Sequence, residues 1–234
     1  MGGHRRQWRP QMTHDEFVRG WVFFALYFLV FPFVMAGLQW VFDHTWSLYL
    51  SDAAANVLYY LFSDVLVFLV FWTFLQNALD ILMDYLPENL FAFGTGLLGA
   101  GALHLLVMRL PYPVDNPVFE DWPAQFAYSP WATIAIVVIL MPIVEEVLFR
   151  GLLFGGLRRY SRSLAWMVTV AVFMLYCVWT FAFSFGDMRY LLLGLQYLPM
   201  SLALTWCYDR GGSIWSPIFL HMVINGIFLF NLVH

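Results

Sequence analysis

Seven long apolar stretches follow one another along this chain, and each is long enough to cross a lipid bilayer. They cover approximately residues 17–42, 53–76, 90–110, 130–157, 163–185, 189–208 and 213–233. About 20 apolar residues span the hydrocarbon core as a helix, which satisfies its own backbone hydrogen bonds. Because 62% of the 234 residues are hydrophobic and only 11% are charged, the sequence predicts an all-α, polytopic membrane protein with about seven transmembrane helices.

The chain contains arginine but no lysine, and its arginines are unevenly distributed among the connections between the spans. If the N-terminus is cytoplasmic, eight lie on the cytoplasmic side: Arg5, Arg6, Arg9, Arg19, Arg158, Arg159, Arg162 and Arg210. Only Arg109 and Arg189 lie on the other side, and Arg150 lies within a span. Because cytoplasmic loops carry an excess of basic residues, we expect a cytoplasmic N-terminus and an integral protein of a prokaryotic inner (plasma) membrane.

The chain divides into two parts by the position of its polar motifs. We expect residues 1–129 to form an N-terminal tail, three transmembrane helices and an outer loop. Residues 130–234 are expected to form a catalytic core of four transmembrane helices. The loop over 109–130 is rich in proline and tryptophan, which favours a position at the membrane interface.

Three ionisable residues interrupt the fourth apolar stretch in the segment MPIVEEVLFRG, Met141 to Gly151. Charged groups within a span are costly in lipid, so they are candidates for a functional site. Glu146 and Arg150 are four residues apart, which places them on one face of a helix as an ion pair. Glu145 lies well off the face of Arg150. We therefore expect Arg150 to hold Glu146 ionised, while Glu145 points into the bundle and exchanges a proton.

The last apolar stretch carries a second polar pair in PIFLHMVINGIF. His221 and Asn225 are also four residues apart, so that both can donate hydrogen bonds toward one negatively charged oxygen. At about 1.5 Å per residue, the depths of Glu145 and His221 predict that they meet in the cytoplasmic half of the bilayer. A histidine can also be a packing residue and a Glu–Arg pair can join two helices, but the combination favours a site.

These motifs resemble those of a known family of membrane proteases. EEVLFRG (145–151) resembles the E-E-x-x-x-R motif of the CAAX protease and bacteriocin-processing (CPBP) family. These glutamic intramembrane proteases include the type II CAAX prenyl proteases. DRGGSIWSPIFLHMVIN (209–225) resembles the family's final motif, in which a short glycine turn leads into H-x-x-x-N. The resemblance covers about residues 130–230 and leaves the first three spans without a motif.

The resemblance implies a role for each of the five polar residues. Glu145 matches the glutamate that activates water for attack on a peptide carbonyl. Glu146 matches the second motif glutamate, and Arg150 matches its supporting arginine. His221 and Asn225 match the pair that stabilises the oxyanion. No cofactor and no metal are expected, because asparagine and arginine suit charge stabilisation better than ligation, so chelators should leave activity intact.

The family's intermediate motif, F-x-x-x-H, is incomplete in this chain. The stretch VFMLYCVW has Phe173 but places Cys177 where the family has a histidine that works on the water. Either Glu145 suffices as the base while Cys177 shapes the site, or His104 of the third span substitutes in space for the missing histidine. A further alternative makes Cys177 a nucleophile with His221 as its base, although a small packing residue is the simpler interpretation.

The leading functional prediction is an intramembrane endopeptidase that hydrolyses a peptide bond of a membrane-associated protein or peptide. Its partners would be the bilayer and a membrane protein, a lipidated protein or a leader peptide as substrate, with no nucleic acid. The alternative is a catalytically impaired family member that acts as a membrane scaffold or immunity protein, which Cys177 favours. A transporter would usually show broken helices or internal repeats, and the sequence indicates neither.

Overall fold

The fold was obtained as a computed structural model, which describes residues 11–31, 33, 34, 37, 40, 41, 44 and 51–234. Within these residues the structure contains nine helices and no strand, so the all-α prediction is confirmed. The helices are α1 (His14–Leu29), α2 (Asp52–Val70), α3 (Trp72–Asp84), α4 (Leu86–Val107), α5 (Val118–Tyr128), α6 (Pro130–Arg158), α7 (Arg162–Phe185), α8 (Met188–Gly211) and α9 (Trp215–Val233).

Six of these helices are long and apolar enough to cross a bilayer, namely α2, α4, α6, α7, α8 and α9. They match the second to seventh predicted stretches, so the polytopic membrane architecture is confirmed. The first stretch begins with α1, whereas much of residues 32–42 lies outside the described part of the chain. The second stretch was predicted over 53–76, but α2 ends at Val70 and α3 follows it.

A buried carboxylate explains how the chain tolerates this break between α2 and α3. The first turn of a helix leaves backbone N–H groups without partners. Glu16 of α1 is buried, and its Oε1 atom accepts a 2.8 Å hydrogen bond from the N–H of Phe74. Its Oε2 atom accepts bonds from the backbone and the hydroxyl of Thr13, the residue that caps α1. Glu16 therefore joins the start of α1 to the start of α3.

The helix that carries the two glutamates is not a regular α-helix. In α6, the segments Ile134–Leu140 and Val147–Phe154 are π-helical, and they flank an α-helical turn at Met141–Glu146. The N–H of Met141 accordingly donates to the carbonyl of Ile136, five residues earlier. Such π-helical segments in α-helices frequently occur at functional sites. Here they set the direction in which Glu145 and its neighbour project.

Small residues allow α4 to pack closely against α8. Ala92, Gly96 and Ala100 recur at one-turn spacing on α4, and all three are buried. A Cβ atom added to Gly96 would lie 2.9 Å from Leu220 Cδ2 and 3.3 Å from the carbonyl oxygen of Ala203. Close approach through small residues is a common way for membrane helices to associate. This contact fixes the position of α8 behind the polar motifs.

The centre of the half of the bundle nearest the α6–α7 and α8–α9 connections is tightly filled, and a separate pocket of about 200 Å³ lies at its edge, between the start of α1 and α6. We call these connections, which carry Arg158, Arg162 and Arg210, the arginine end. We call the packed half next to it the sealed half. It contains fully buried side chains from four helices: Leu148, Phe149, Leu152, Phe154, Phe173, Tyr208, Ile214 and Ile218. At its rim, Asp209 accepts bonds from Arg158 at 3.0 Å, Arg162 at 2.7 Å and Trp166 at 3.0 Å.

Candidate active site

The polar residues singled out in α6 and α9 come together near the middle of the bundle. All five, Glu145, Glu146, Arg150, His221 and Asn225, are buried. Glu145 lies roughly 20 Å from either end of α6, at about 1.5 Å per residue. The fourth and seventh predicted spans therefore do meet, over a separation of some 75 residues in sequence between Glu146 and His221.

Glu146 is the centre of the buried polar set. Its Oε1 atom accepts a 2.8 Å hydrogen bond from Arg150 Nη1 and lies 2.8 Å from His221 Nδ1. The ion pair expected from the four-residue spacing is therefore present. Arg150 also donates through Nη2 to the carbonyl and hydroxyl oxygens of Ser201, at 3.4 and 3.3 Å. Its guanidinium lies 4.2 Å above the ring of Phe173, which completes the burial of the charge.

The contact with Glu146 determines what His221 can offer to a ligand. An ionised carboxylate only accepts hydrogen bonds, so we assign the Nδ1 proton of His221 to the bond with Glu146. Nε2 then carries a lone pair when the ring is neutral and an N–H when the ring is protonated. This atom is buried, lies 3.9 Å from Glu145 Oε2 and has no hydrogen-bond partner among the described residues.

The Asn225 side chain has a structural contact that the sequence did not predict. Its Nδ2 atom donates a 2.9 Å hydrogen bond to the carbonyl of Val137. In the π-helical register of α6, this carbonyl would pair with the N–H of residue 142, which is a proline and has none. Asn225 therefore supplies the missing donor, and its second amide hydrogen remains available for another acceptor.

Glu145, His221 and Asn225 line one cavity of about 440 Å³. Cys177 and His104, the two further residues considered from the sequence, also line it. His104 lies beside Phe228, with ring centroids 6.4 Å apart. Phe173 does not line the cavity but supports it from behind, because its ring packs against both Arg150 and His221, 6.2 Å from the imidazole.

Three tyrosines near Glu145 were missed by the sequence analysis. Tyr27 of α1, Tyr60 of α2 and Tyr176 of α7 line the same cavity. The hydroxyl of Tyr176 donates a 3.0 Å hydrogen bond to the hydroxyl of Tyr27. Tyr176 directly precedes Cys177, which was the one available signal. Tyr27 and Tyr60 lie in spans without a motif, so only the packing brings them to the site.

The cavity extends away from the arginine end. Besides the central residues, it is lined by groups near the ends of α4 and α7 and the connection before α6. We call that end of the bundle the far end and this half of the bundle the cavity half. Met108, Trp122, Thr180 and Gln196 are among its partly exposed lining residues. The sequence had predicted a site in the half nearest the arginines, but that half is filled by the apolar side chains of the sealed half.

The described side chains at this site that could ligate a metal are not arranged as a metal centre. Within the described residues, no group of three or more His, Cys, Asp or Glu side chains is placed to hold a metal ion. His221 Nδ1 is engaged by Glu146, and the resistance to chelators expected from the sequence stays a prediction.

Comparison with known proteins places the chain in a family. Residues 127–227 match the family described as type II CAAX prenyl endopeptidase Rce1-like. The UPF0177 protein YbdJ of Lactococcus lactis subsp. lactis (strain IL1403) is 31% identical over an alignment of 188 residues. This alignment covers 74% of this chain and 75% of that protein. The protein named "Putative membrane peptidase YdiL" of Bacillus subtilis (strain 168) is 31% identical over 88 residues, 37% of this chain and 32% of that protein. No solved structure matches the chain.

The helical bundle and these matches together define an integral membrane protein of a membrane-protease class. The chain belongs to the CPBP family, as the resemblance of its motifs had indicated.

Proposed function

We propose that this chain is an intramembrane endopeptidase of the glutamic type, with Glu145 as the base that activates water. The observation that carries the proposal is the opposition of Glu145 Oε2 and His221 Nε2, 3.9 Å apart at the inner end of a 440 Å³ cavity. Both atoms are buried, and Nε2 has no partner among the described residues. An unpartnered polar group at that depth favours a bound water or substrate oxygen.

Hydrolysis begins at Glu145. Its carboxylate takes a proton from a water molecule held between it and His221, and the remaining hydroxide attacks the carbonyl carbon of the substrate peptide. Tyr176, which lines the same cavity as Glu145, orients the carboxylate. In this scheme Cys177 shapes the cavity wall, because its thiol has no hydrogen bond to His221 among the contacts of the described residues.

The tetrahedral intermediate carries a negative oxygen that needs donors. Protonated His221 donates through Nε2, and Asn225 donates through the amide hydrogen that does not bind Val137. The imidazolium balances the local charge: once Glu145 is protonated, the two anions are Glu146 and the oxyanion, and they face two cations, Arg150 and His221. Glu145 finally gives its proton to the leaving amide nitrogen, so that the base is regenerated as the peptide bond breaks.

The test is to compare processing in cells that produce the wild type or the Glu145→Gln variant. New N-termini of membrane-associated proteins are counted by mass spectrometry in both strains. We expect a set of N-termini that depends on the wild type and disappears with Glu145→Gln and with His221→Ala. Asp80→Asn serves as the matched control, because Asp80 is an exposed carboxylate on α3. Identical N-termini in wild type and Glu145→Gln would refute the proposal.

A catalytically impaired scaffold or immunity protein is the second candidate. The observation that favours it is Cys177 at the position of the family's water-binding histidine. A scaffold would retain its partners in both the wild type and the Glu145→Gln variant. Its cellular effect would then survive a substitution that removes all processing.

The N-terminus in the cytoplasm, a prokaryotic plasma membrane and a division of the chain at residue 130 complete the proposed assignment.

A further inference from the structure

The cavity half and the sealed half give a peptide very different access to Glu145. From the arginine end, any path to Glu145 would cross the fully buried side chains of the sealed half, including Phe149, Phe154 and Ile218. Such a core is close-packed and admits no peptide. From the far end, Glu145 is reached along a cavity of about 440 Å³ whose walls include partly exposed residues such as Trp122 and Thr180.

The mouth of the cavity is held by neutral polar groups. Asn116, in the connection before α5, donates to Gln196 of α8 at 2.8 Å and to the Tyr197 hydroxyl at 3.3 Å. Its own Oδ1 atom accepts from the N–H of Val118 at the start of α5. These bonds fix the α4–α6 connection to α8, so the mouth is a defined part of the fold.

Among the described residues, no lysine or arginine lines the cavity. Of the arginines that the structure describes, two, Arg109 and Arg189, lie toward the far end. Neither lines the cavity, and Arg189 forms a 2.7 Å ion pair with Asp187. Glu145 is the one carboxylate of the lining, alongside neutral groups such as Asn56 and Thr180. Of the lining residues only His104 and His221 can become cationic, so an anionic ligand would lose its hydration here without meeting a permanent positive charge.

The geometry points to an uncharged, apolar internal segment of a polypeptide as the ligand of this cavity, entering from the face of the membrane opposite the arginine end. This inference rests on the proposed function, because it names the substrate class of the same site. Aromatic walls suit large apolar side chains, while neutral amides and hydroxyls suit a peptide backbone. A terminal carboxylate is a poor ligand, so the bond cleaved lies within a chain and not at a short carboxyl-terminal tail.

The chain's two cysteines allow the direction of entry to be measured without catalysis. Cys177 lines the cavity, whereas Cys207 is fully buried beside α4. The Cys207→Ala variant in sealed membrane vesicles is treated with 2-(trimethylammonium)ethyl methanethiosulfonate, a cationic reagent that does not cross membranes. Its reaction with Cys177 is followed by mass spectrometry in vesicles of both orientations.

Two exposed positions at opposite ends of α7 report which face the reagent contacts. Ser163→Cys marks the arginine end and Ser184→Cys marks the far end, each in a background without Cys177 and Cys207. We expect Cys177 to react at least about ten-fold faster in the vesicle orientation that exposes Ser184→Cys. Faster reaction in the orientation that exposes Ser163→Cys, or no reaction in either, would overturn the inferred route.

Peptide protection tests the ligand class. A short N-acetylated peptide of alanine, leucine and phenylalanine is prepared with a C-terminal amide and, separately, with a free carboxylate. The Cys207→Ala, Glu145→Gln variant binds without hydrolysis, and protection of Cys177 from N-ethylmaleimide is measured. We expect the amide to protect at a concentration at least about ten-fold lower than the acid. Equal or better protection by the acid, or protection by neither, would overturn the inference.

The two experiments separate this inference from the proposed function. Alkylation of Cys177 requires access and binding but no proteolysis. If new N-termini fail to appear while the amide peptide still protects Cys177, the endopeptidase proposal fails and the cavity remains a peptide-binding site. If processing occurs but the acid binds as well as the amide, the proposed activity stands and the substrate class is wrong.

Discussion

The sealed half and the cavity half share helices α6 to α9, yet they differ in how they are filled. In the sealed half, side chains such as Phe149, Phe154 and Tyr208 are in mutual contact and excluded from solvent. In the cavity half, aromatic side chains of comparable size surround about 440 Å³ of open volume. The difference shows that packing, and not hydrophobicity, separates the region that stabilises this bundle from the region that admits a ligand.

The polar set lies at the boundary between these two halves, and its members divide accordingly. Glu146 and Arg150 are fully buried on the sealed side, where their charges compensate each other and Glu146 also lies 2.8 Å from His221 Nδ1. Glu145 and Asn225 retain slight exposure toward the cavity, 4% each. A rigid support on one side and an open volume on the other is the arrangement that an active site requires.

The largest expected effect comes from the group at this boundary. Glu145→Gln keeps the shape of the side chain but removes the base, so the processing rate should fall by about 10³-fold, within the range of general-base contributions. The thermal unfolding temperature of the purified protein should change little, because Glu145 supports no other buried charge of the sealed half. Measured loss of both activity and folding would mean that Glu145 belongs to the sealed half as a structural residue.

Removing the cation of the sealed half should chiefly affect stability. Arg150→Ala leaves Glu146 buried without its ion-pair partner, and breaking such a pair costs about 3–5 kcal/mol. The free energy of unfolding is measured by denaturant titration in detergent. Arg189→Ala is the matched control, because Arg189 also pairs with a carboxylate, that of Asp187, but is 64% exposed. We expect no measurable change for the control. Similar losses for both variants would contradict the view that burial makes the Arg150 pair important.

Apolar truncations should distinguish the two halves by packing alone. Phe149 makes edge-to-face ring contacts with Phe24 and Phe173, at centroid distances of 5.3 and 5.1 Å. Phe149→Ala should therefore lower the free energy of unfolding by about 3 kcal/mol. Phe228 borders the existing cavity, so Phe228→Ala enlarges a space that is already present and should cost about 1 kcal/mol. Equal costs in the two variants would remove the distinction between the halves.

The smallest expected effect concerns the helix contact behind the site. Gly96→Ala places a methyl group 2.9 Å from the Leu220 side chain of α9 and 3.3 Å from the Ala203 carbonyl oxygen of α8, so α4 must shift slightly away from α8, at a cost of about 1–2 kcal/mol. Gly99 has open space around it, and Gly99→Ala should be neutral or stabilise the helix by about 0.5 kcal/mol. Both are measured by unfolding in detergent. A tolerated Gly96→Ala would show that the close α4–α8 contact is not a structural requirement.

Some features of the site could be predicted because they depend on residues close together in sequence. The Glu146–Arg150 pair follows from four-residue helical spacing, and the structure contains it at 2.8 Å. The same spacing correctly indicated that His221 and Asn225 face one region. It did not predict their partners, because the bonds to Glu146 and to the Val137 carbonyl depend on how α9 packs against α6.

Other features could not be read from local patterns. The break between α2 and α3 depends on Glu16, whose bond to Phe74 joins residues 58 apart. The approach of Tyr27 to Tyr176 joins positions 149 apart. No periodicity in these segments signals such a contact. Each segment is apolar because it lies in the membrane, so its hydrophobic pattern does not distinguish one partner from another.

The amino-acid sequence by itself determined that this chain is helical and lies in a membrane, because long apolar runs leave the backbone no other way to satisfy its hydrogen bonds. It also determined which polar residues share a helix face. Only the tertiary structure decided which half of the bundle is filled and which is open. Lipid-facing and core positions are both apolar in sequence, the cavity wall mixes apolar and polar residues, and packing density is a collective property of helices that are distant along the chain.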